Sequence, residues 1–577
     1  MLGKRSVQPN LFAADTMYLD FVGRQSFYGF LATERSRLFR DEDFGDLYCL
    51  TNGRNSVPPS QLATALLLQA HDRVSDAEAV ARADFDLRWK VALGSELDEH
   101  PFAKSTLQLF RAQLILHDKA RQVFTKSLAF ARETGYLKNR KLKAVLDTTF
   151  ILGAGAVQDT YNLLADGIVK LVRVLAALAG QKPDAWADAN DLARYFAPSI
   201  KGTAAINWDD QAQRQTFLQG IVADADRLLA EARATLAQYA DGVPEKDEIR
   251  EAADLLAQLL LQDIDRTAAG AALKEGTSPD RRVSVHDPEM RHGHKSASVR
   301  FEGHKAAIAV DPESQLITAA SVLPGNAHDS EQALALVKQS EENTQATVDA
   351  TIGDCAYGTG PLRQAFADDG RTLIAPVPAA KESATFPKTA FAIDMQAQTC
   401  RCPAGAVTAV LVPAGSHLYR TGERVSLHAF QFPQALCAAC PLRPQCLNAS
   451  AHGGRRVVLH PQEALMQAAR AFQQSDGYAP YRKLRQAVEH RVGRLVQLGI
   501  RQARYVGRLK TLFQLLLAAT VANLTLVATR TGLMQGRKGQ QDPVFSHLLS
   551  VLEAFATLIC FVVTSCTPHK ATFRLRF

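Results

Sequence analysis

Strand-like texture in this chain is confined to two windows that lie far apart. In the first, Lys141 to Asp147, apolar and polar residues alternate and the run ends on an acid. The second extends from Arg281 to Val377. It opens with Val283-Ser284-Val285 and Ser296 to Phe301. His304 to Val310 and Gln315 to Val322 follow, turning at Asp311-Pro312, and then come Gln345 to Ile352 and Thr372 to Val377. Between the windows, Thr160 to about Gly276 carries a helical pattern rich in Ala, Leu and acids. A sheet assembled from these runs has to accommodate a helical insertion. The expected class is therefore α/β and multidomain.

The flanks are helical. Pro58 and Pro59 precede an amphipathic run from Gln61 to Asp72. Ser75 and Glu78 have the spacing of a capping box, and Ser105 is expected to cap a helix from Thr106 to His117. Short helices with tight turns suit a helix-turn-helix-like module or a plain trihelical scaffold. A Pro- and Cys-bearing region follows Ala379, and helices resume at Glu463. Thr511 to Thr529 is uncharged but holds Gln514 and Asn523, so it reads as a buried helix and not a membrane span. Leu548 to Cys566, with Glu553, is read the same way. Met1 to Asn10 is charged and lacks an apolar core, so a secretory leader is not expected and a reducing cytoplasm is the default.

Composition sets few limits. With 577 residues, 47% hydrophobic and 22% charged, the chain belongs with ordinary globular proteins of roughly three or four domains. A net charge of +7 is small for this length, so its location matters more than its size. The basic residues concentrate near the end. Between Asp476 and Asp542 the sequence has twelve basic residues and one acid, Glu489. A solvated face mixes signs, so a single carboxylate kept among cations suggests work that only a carboxylate does. Arg485 and Glu489 stand at i, i+4, with Arg482 one turn back; a simple helix salt bridge is the plainer explanation. Asp147 and Asp354 each close an apolar run, where metal and ligand sites gather, although turn or cap roles suit either one alone. Three such acids would serve phosphodiester cleavage. Two metal ions about 3.5–4 Å apart activate the attacking oxygen and stabilise the leaving one. Magnesium favours carboxylate oxygens.

The order of short motifs adds to this. Asp147-Thr148-Thr149 is followed by Gly153-Ala154-Gly155 and Asp159-Thr160-Tyr161-Asn162. Asp287-Pro288-Glu289-Met290-Arg291 and Phe301-Glu302-Gly303-His304-Lys305 come next, then Pro324-Gly325-Asn326 and Gly353-Asp354-Cys355-Ala356-Tyr357-Gly358. With the Arg485-to-Glu489 helix and the early Val57-Pro58-Pro59-Ser60 and Phe85-Asp86-Leu87-Arg88-Trp89, these blocks resemble the DDE transposases of bacterial insertion sequences. The resemblance implies an RNase H-like core, the triad Asp147, Asp354 and Glu489, and magnesium or manganese as cofactor. It implies a nucleoid-associated endonuclease acting on double-stranded DNA: binding at the inverted repeats of a mobile element, cleavage, and strand transfer into target DNA. A homo-oligomer on DNA and no membrane partner are expected. Arg482, Arg485, Arg491, Arg494, Arg504, Arg508 and Lys305 would hold the DNA. Relatives commonly place tyrosine where Arg482 and His304 stand, and lysine at Val496, so auxiliary roles differ here. A nuclease without strand transfer and a non-catalytic DNA-binding protein stay open as alternatives.

The expected organisation is a helical DNA-binding region at 1–138 and a core at 139–159 and 281–378, interrupted by a helical insertion at 160–280. A Cys-bearing insertion at 379–462, core helices at 463–530 and a tail at 531–577 complete it. Five of the nine cysteines cluster. Cys402, Cys437, Cys440 and Cys446 have spacing suited to structural zinc, with Cys400 as a spare ligand, or remain unliganded thiols. His286, His292, His294 and His304 are dense around Asp287. Flanking DNA suits them better than acting as a base, and turn roles suit Asp287 and Asp329 better than assisting a metal.

Overall fold

The computed structural model describes residues 1–5, 12–49, 52–238, 243–268, 270–276, 278, 280–296, 298–378, 384–419 and 422–534. The chain beyond Met534, including the apolar stretch Leu548 to Cys566, lies outside the described residues. Both strand windows contribute to one sheet: β1 (Leu142–Leu152), β2 (Arg291–His294), β3 (Arg300–Val310), β4 (Ile317–Pro324), β5 (Val348–Ile352) and β6 (Leu373–Ile374). Strand β1 sits at the junction of two regimes. It runs antiparallel to β3, with Asp147 opposite Ile308, and parallel to β5, with Val145 opposite Ile352. β6 continues the parallel half; β2 and β4 share the outer edge of β3. Leu142, Ala144, Val145 and Leu146 are all buried, as a central strand covered on both faces requires.

Some runs behave differently from their pattern. Val283, Ser284 and Val285 are buried but form no strand; only the neighbouring Arg282 bridges to Arg291. The strand expected from Ser296 begins only at Arg300; Ser296, Ser298 and Val299 belong to the link between β2 and β3. Thr372 to Val377 shrinks to two strand residues, because Pro376 has no N–H to donate to a ladder. The helix expected after Ser105 spans Lys104–Leu116, which leaves Ser105 inside its first turn. Ser75 does cap Asp76–Phe85, its Oγ accepting the Glu78 N–H at 3.1 Å.

One buried cluster joins the N-terminal helices to the sheet and the C-terminal helices. Phe30, Trp89, Phe110 and Phe124 belong to it, as do Val145, Ile308, Val488, Leu516 and Val521. The Pro59–Asp72 helix is buried at every position from Pro59 to Gln69. A helix covered all round is scaffold, because a groove-reading helix needs an open face. Arg508–Arg530 is, among the described residues, the one helix long and apolar enough to cross a membrane, but 83% of its most apolar window is buried inside the fold. It packs on Lys119–Glu133, Pro59–Asp72 and β4. The helices from Thr160 to Asp263 bury a separate cluster, with Leu164, Ile168, Trp186, Leu228 and Leu256 among its members.

Candidate active site

Asp147 and Asp354 arrive side by side because β1 and β5 are parallel neighbours in register. Asp147 lies two residues past Val145, and Asp354 two past its partner Ile352. Each carboxylate is fixed locally. Asp147 Oδ1 accepts the Thr148 N–H and Asp354 Oδ1 accepts the Ala356 N–H, both at 2.8 Å. Burial pushes the Asp147 carboxyl up to about 6, helped by the nearby charges of Asp354 and Asp329 and opposed by Arg485. Tyr357 completes this corner. Its ring is buried against Gly353, where a Cβ would stand 2.6 Å from the Tyr357 Cβ, so residue 353 has no room for a side chain. Its hydroxyl is buried without a hydrogen-bond partner among the described residues, within electrostatic reach of Asp147, Asp329 and Asp354.

Asp329 lies just beyond the end of β4. Lys305 holds it, donating to Asp329 Oδ1 and to the Ala327 carbonyl, both at 2.8 Å. The sequence suggested a turn role for Asp329 and DNA contact for Lys305; here the two form an ion pair at the edge of the acid pair. The same loop lines a polar cavity of about 470 Å³ with Arg281, His292, His294, Arg300, Asn326 and His328.

Glu489 is placed differently. It is exposed on the Gln486–Gln497 helix, one turn beyond Arg485. The two form no ion pair among the described residues, so the plain helix salt bridge is absent. Arg485 instead faces the aspartates, and its buried Nε has no hydrogen-bond partner. Among the described residues, no three His, Cys, Asp or Glu side chains stand close enough together to hold a metal ion.

The segment joining this helix to the C-terminal one is locked to β1. The Leu152 N–H donates to Arg501 O at 2.9 Å, and the Ala503 N–H donates to Leu152 O at 2.8 Å. Arg501 lies over the Phe150 ring, 3.8 Å from its centroid, and donates to the Phe150 carbonyl. Asp287 and Glu289 then grip the next turn. Buried Asp287 accepts the Gly507 N–H at 3.1 Å, and Glu289 accepts from the Arg508 backbone and guanidinium. His304 Nε2, fully buried, lies 3.5 Å from Asp287 Oδ2. Asp287 also accepts the Glu289 N–H at 3.2 Å, so the turn role expected of it is present, and with His304 it adds a long-range hold on the backbone at Gly507.

The predicted DNA-contacting arginines divide by what they touch. Arg504 caps the Val74 carbonyl at 2.6 Å and Arg508 pairs with Glu289, so both brace the fold. Arg482 is exposed. Arg491 and Arg494 line a shallow pocket with Arg530; burial holds both guanidiniums below their usual range, and for Arg491 its cationic neighbours add to that. From Arg482 to Arg530, Arg508 alone has a carboxylate partner among the described residues. The four cysteines Cys402, Cys437, Cys440 and Cys446 line a different cavity, remote in sequence from the aspartates.

The chain is thus a mixed-sheet α/β protein in which Asp147, midway along β1, and Asp354, just past β5, lie within electrostatic reach of each other, with Arg485 near them. Two family models match the chain: a transposase DDE domain over residues 401–528, and the transposase domain DUF772 over residues 31–113. Both are transposase families, and together the matches indicate a DDE transposase of the insertion-sequence type. The first match contains Glu489 and Cys402, Cys437, Cys440 and Cys446; neither contains Asp147 or Asp354. No curated protein and no solved structure matches the chain.

Proposed function

We propose that the protein binds the ends of a mobile DNA element and catalyses metal-dependent phosphodiester hydrolysis and strand transfer, using Asp147, Asp354 and Glu489. The observation that carries this reading is the register of β1 and β5, which sets Asp147 and Asp354 together with Arg485 facing them. The donor set suits a hard divalent cation such as magnesium or manganese. Two carboxylates held close, one of them pushed up to about 6 by burial and by its neighbour, lack the counter-charge that a cation supplies. When bound, the metal would supply Lewis acidity toward a phosphodiester oxygen. Glu489 shares a helix face with Arg485, and an inward shift of that helix on DNA would add the third carboxylate.

The chain's own groups have separate tasks in this reading. Arg485, unpaired at Nε, is available to a non-bridging phosphate oxygen. The Tyr357 hydroxyl, kept protonated by burial and without a partner among the described residues, is available as an uncharged donor at the acid corner. Lys305 holds Asp329 so that its loop forms one wall of the polar cavity, whose arginines and histidines suit the strand running away from the cut. Arg482, Arg491 and Arg494 continue the cationic track. The sheet order, with Asp147 on the central strand and Asp354 just past its parallel neighbour, supports an RNase H-like description of the core. DNA contact by the N-terminal region would fall to helices other than Pro59–Asp72.

The test is incubation with labelled DNA carrying the element's ends and a target plasmid, with and without magnesium. Wild-type protein is expected to cut at the ends and join them to the target. Asp147→Ala and Asp354→Ala are each expected to bind the ends normally and lose cleavage by at least about a thousandfold. Undiminished cleavage by either variant removes the assignment.

A further inference from the structure

We infer that Cys402, Cys437, Cys440 and Cys446 hold one structural zinc ion, in a site separate from the carboxylates. The region from Phe386 to Leu459 has little else to stabilise it. Its buried core consists of Phe391, Cys400, Phe430, Phe432 and Val457. Its strands make two three-stranded sheets, several of them only two or three residues long. A core of that size rarely stands without a cross-link or a metal.

Three backbone turns bring the thiols to one cavity. Cys402 opens a tight turn in which its N–H donates to Ala406 O and its carbonyl accepts the Gly405 N–H, each at 2.9 Å. Gly405 has φ +89°, a conformation that suits glycine. Cys437 lies in the short helix Gln434–Ala438, and Cys440 follows its end, the Cys440 N–H pointing back to Cys437 O at 3.4 Å. Cys446 ends the turn Arg443–Cys446. All four side chains line the same cavity with Arg443 and Arg455. The Arg455 N–H donates to Cys437 Sγ at 3.4 Å, a bond that steadies a thiolate. The Arg455 guanidinium donates to Cys446 O at 2.6 Å and Phe386 O at 2.8 Å, which ties the last turn to the start of the region.

The chemistry of the donors selects the ion. Four soft sulfurs suit zinc and do not suit magnesium. Four ligands close the tetrahedron, so the role is structural and not catalytic. Binding releases four thiol protons and leaves a site of net charge −2, next to the guanidiniums of Arg443 and Arg455. The thiols stand around the cavity and not yet at ligating distance. Binding therefore needs side-chain rotation inward, with the turns already formed. Cys400 is excluded from the set. It is fully buried in the small core, and burial pushes its thiol up to about 11.

Zinc content of the full chain, purified under reducing conditions and measured by elemental mass spectrometry, tests the site. One zinc per chain is expected in the wild type, in Cys400→Ala, and in the double variant Asp147→Ala/Asp354→Ala, so the result is independent of the catalytic reading. Cys437→Ser/Cys440→Ser is expected to carry none. For a readout on unmutated protein, a chelator should expose the 386–459 region to protease, and added zinc should restore its protection. Wild-type protein without zinc, whether its thiols are free or paired in disulfides, overturns the inference. So does full zinc content in Cys437→Ser/Cys440→Ser.

Discussion

Two acids of this chain show how burial separates roles. Asp72 accepts hydrogen bonds from Tyr28 Oη at 2.8 Å, Trp89 Nε1 at 2.8 Å and Arg82 at 2.7 Å, and His71 Nδ1 lies 2.7 Å away. Burial works against its charge, but the bonds from His71, Trp89 and Tyr28 outweigh it and take the carboxyl to about 2. An unfolded aspartate titrates near ~3.9. The stabilisation is therefore complete above about pH 4 and lost as pH falls toward 2. Asp72→Asn is expected to cost about 2 kcal/mol at pH 7, and the gap from wild type should narrow as unfolding by urea is repeated down to pH 3. Glu489 is the opposite case, exposed and unpaired among the described residues. Glu489→Gln should leave the urea midpoint unchanged within about 0.5 kcal/mol while abolishing cleavage; a large stability loss would assign it a structural role instead. Sequence alone singled out Glu489 by its isolation among cations. It did not single out Asp72, because a hub of four partners drawn from four helices leaves no local pattern.

Elements were legible where their cause is local. The end of β5, the Ser75 cap and the burial of the Arg508–Arg530 helix follow from patterning within a few residues, but β1 does not stop at Asp147: Thr148 to Leu152 continue the ladder with β3, so the acid lies inside the strand and not at its tip. Val283 to Val285 misled, because burial by neighbours gives a residue run the same apolar look as a ladder does. The hold of Asp287 and Glu289 on Gly507 and Arg508 spans about 220 positions, and no spacing rule reaches that far. Yet this hold fixes where the C-terminal helix begins, and with the β1 pairing of Arg501 to Ala503 it limits where the Glu489 helix lies. Gly507 has φ +90°, so the turn leaves little tolerance. Asp287→Ala removes a buried acceptor from the Gly507 and Glu289 N–H groups and the partner of buried His304. It is expected to cost about 2–4 kcal/mol in thermal or urea unfolding, and to reduce cleavage even with the acid pair intact. A stability loss below about 0.5 kcal/mol would show that the turn holds itself.

At the scale of the molecule, boundaries drawn from texture and boundaries drawn from packing need not coincide. The N-terminal helices read as a unit in sequence, but their buried face is shared. Asn523 of the C-terminal helix accepts the Ile317 N–H and donates to the Ile317 carbonyl, both at 2.9 Å, and also reaches Ser127 Oγ at 3.3 Å. Arg111 donates to Asp76 and to Tyr505 Oη, joining the first 116 residues to the last described block. The 160–276 segment is built differently, because its own cluster accounts for most of its buried side chains. Two fragments should therefore behave in opposite ways. Residues 139–534, lacking the N-terminal helices, would expose the apolar faces of Leu516, Val521 and their neighbours to water. Burial of each such side chain is worth about 1.5–3 kcal/mol, more than the marginal stability of a domain absorbs when many are lost together. That fragment is expected to aggregate or bind a hydrophobic dye without a cooperative melt. Residues 159–276 alone are expected to be helical by circular dichroism and to melt cooperatively. A well-folded 139–534 fragment would mean that the shared cluster is two cores in contact, and that the N-terminal helices are free to act as a separate DNA-binding module.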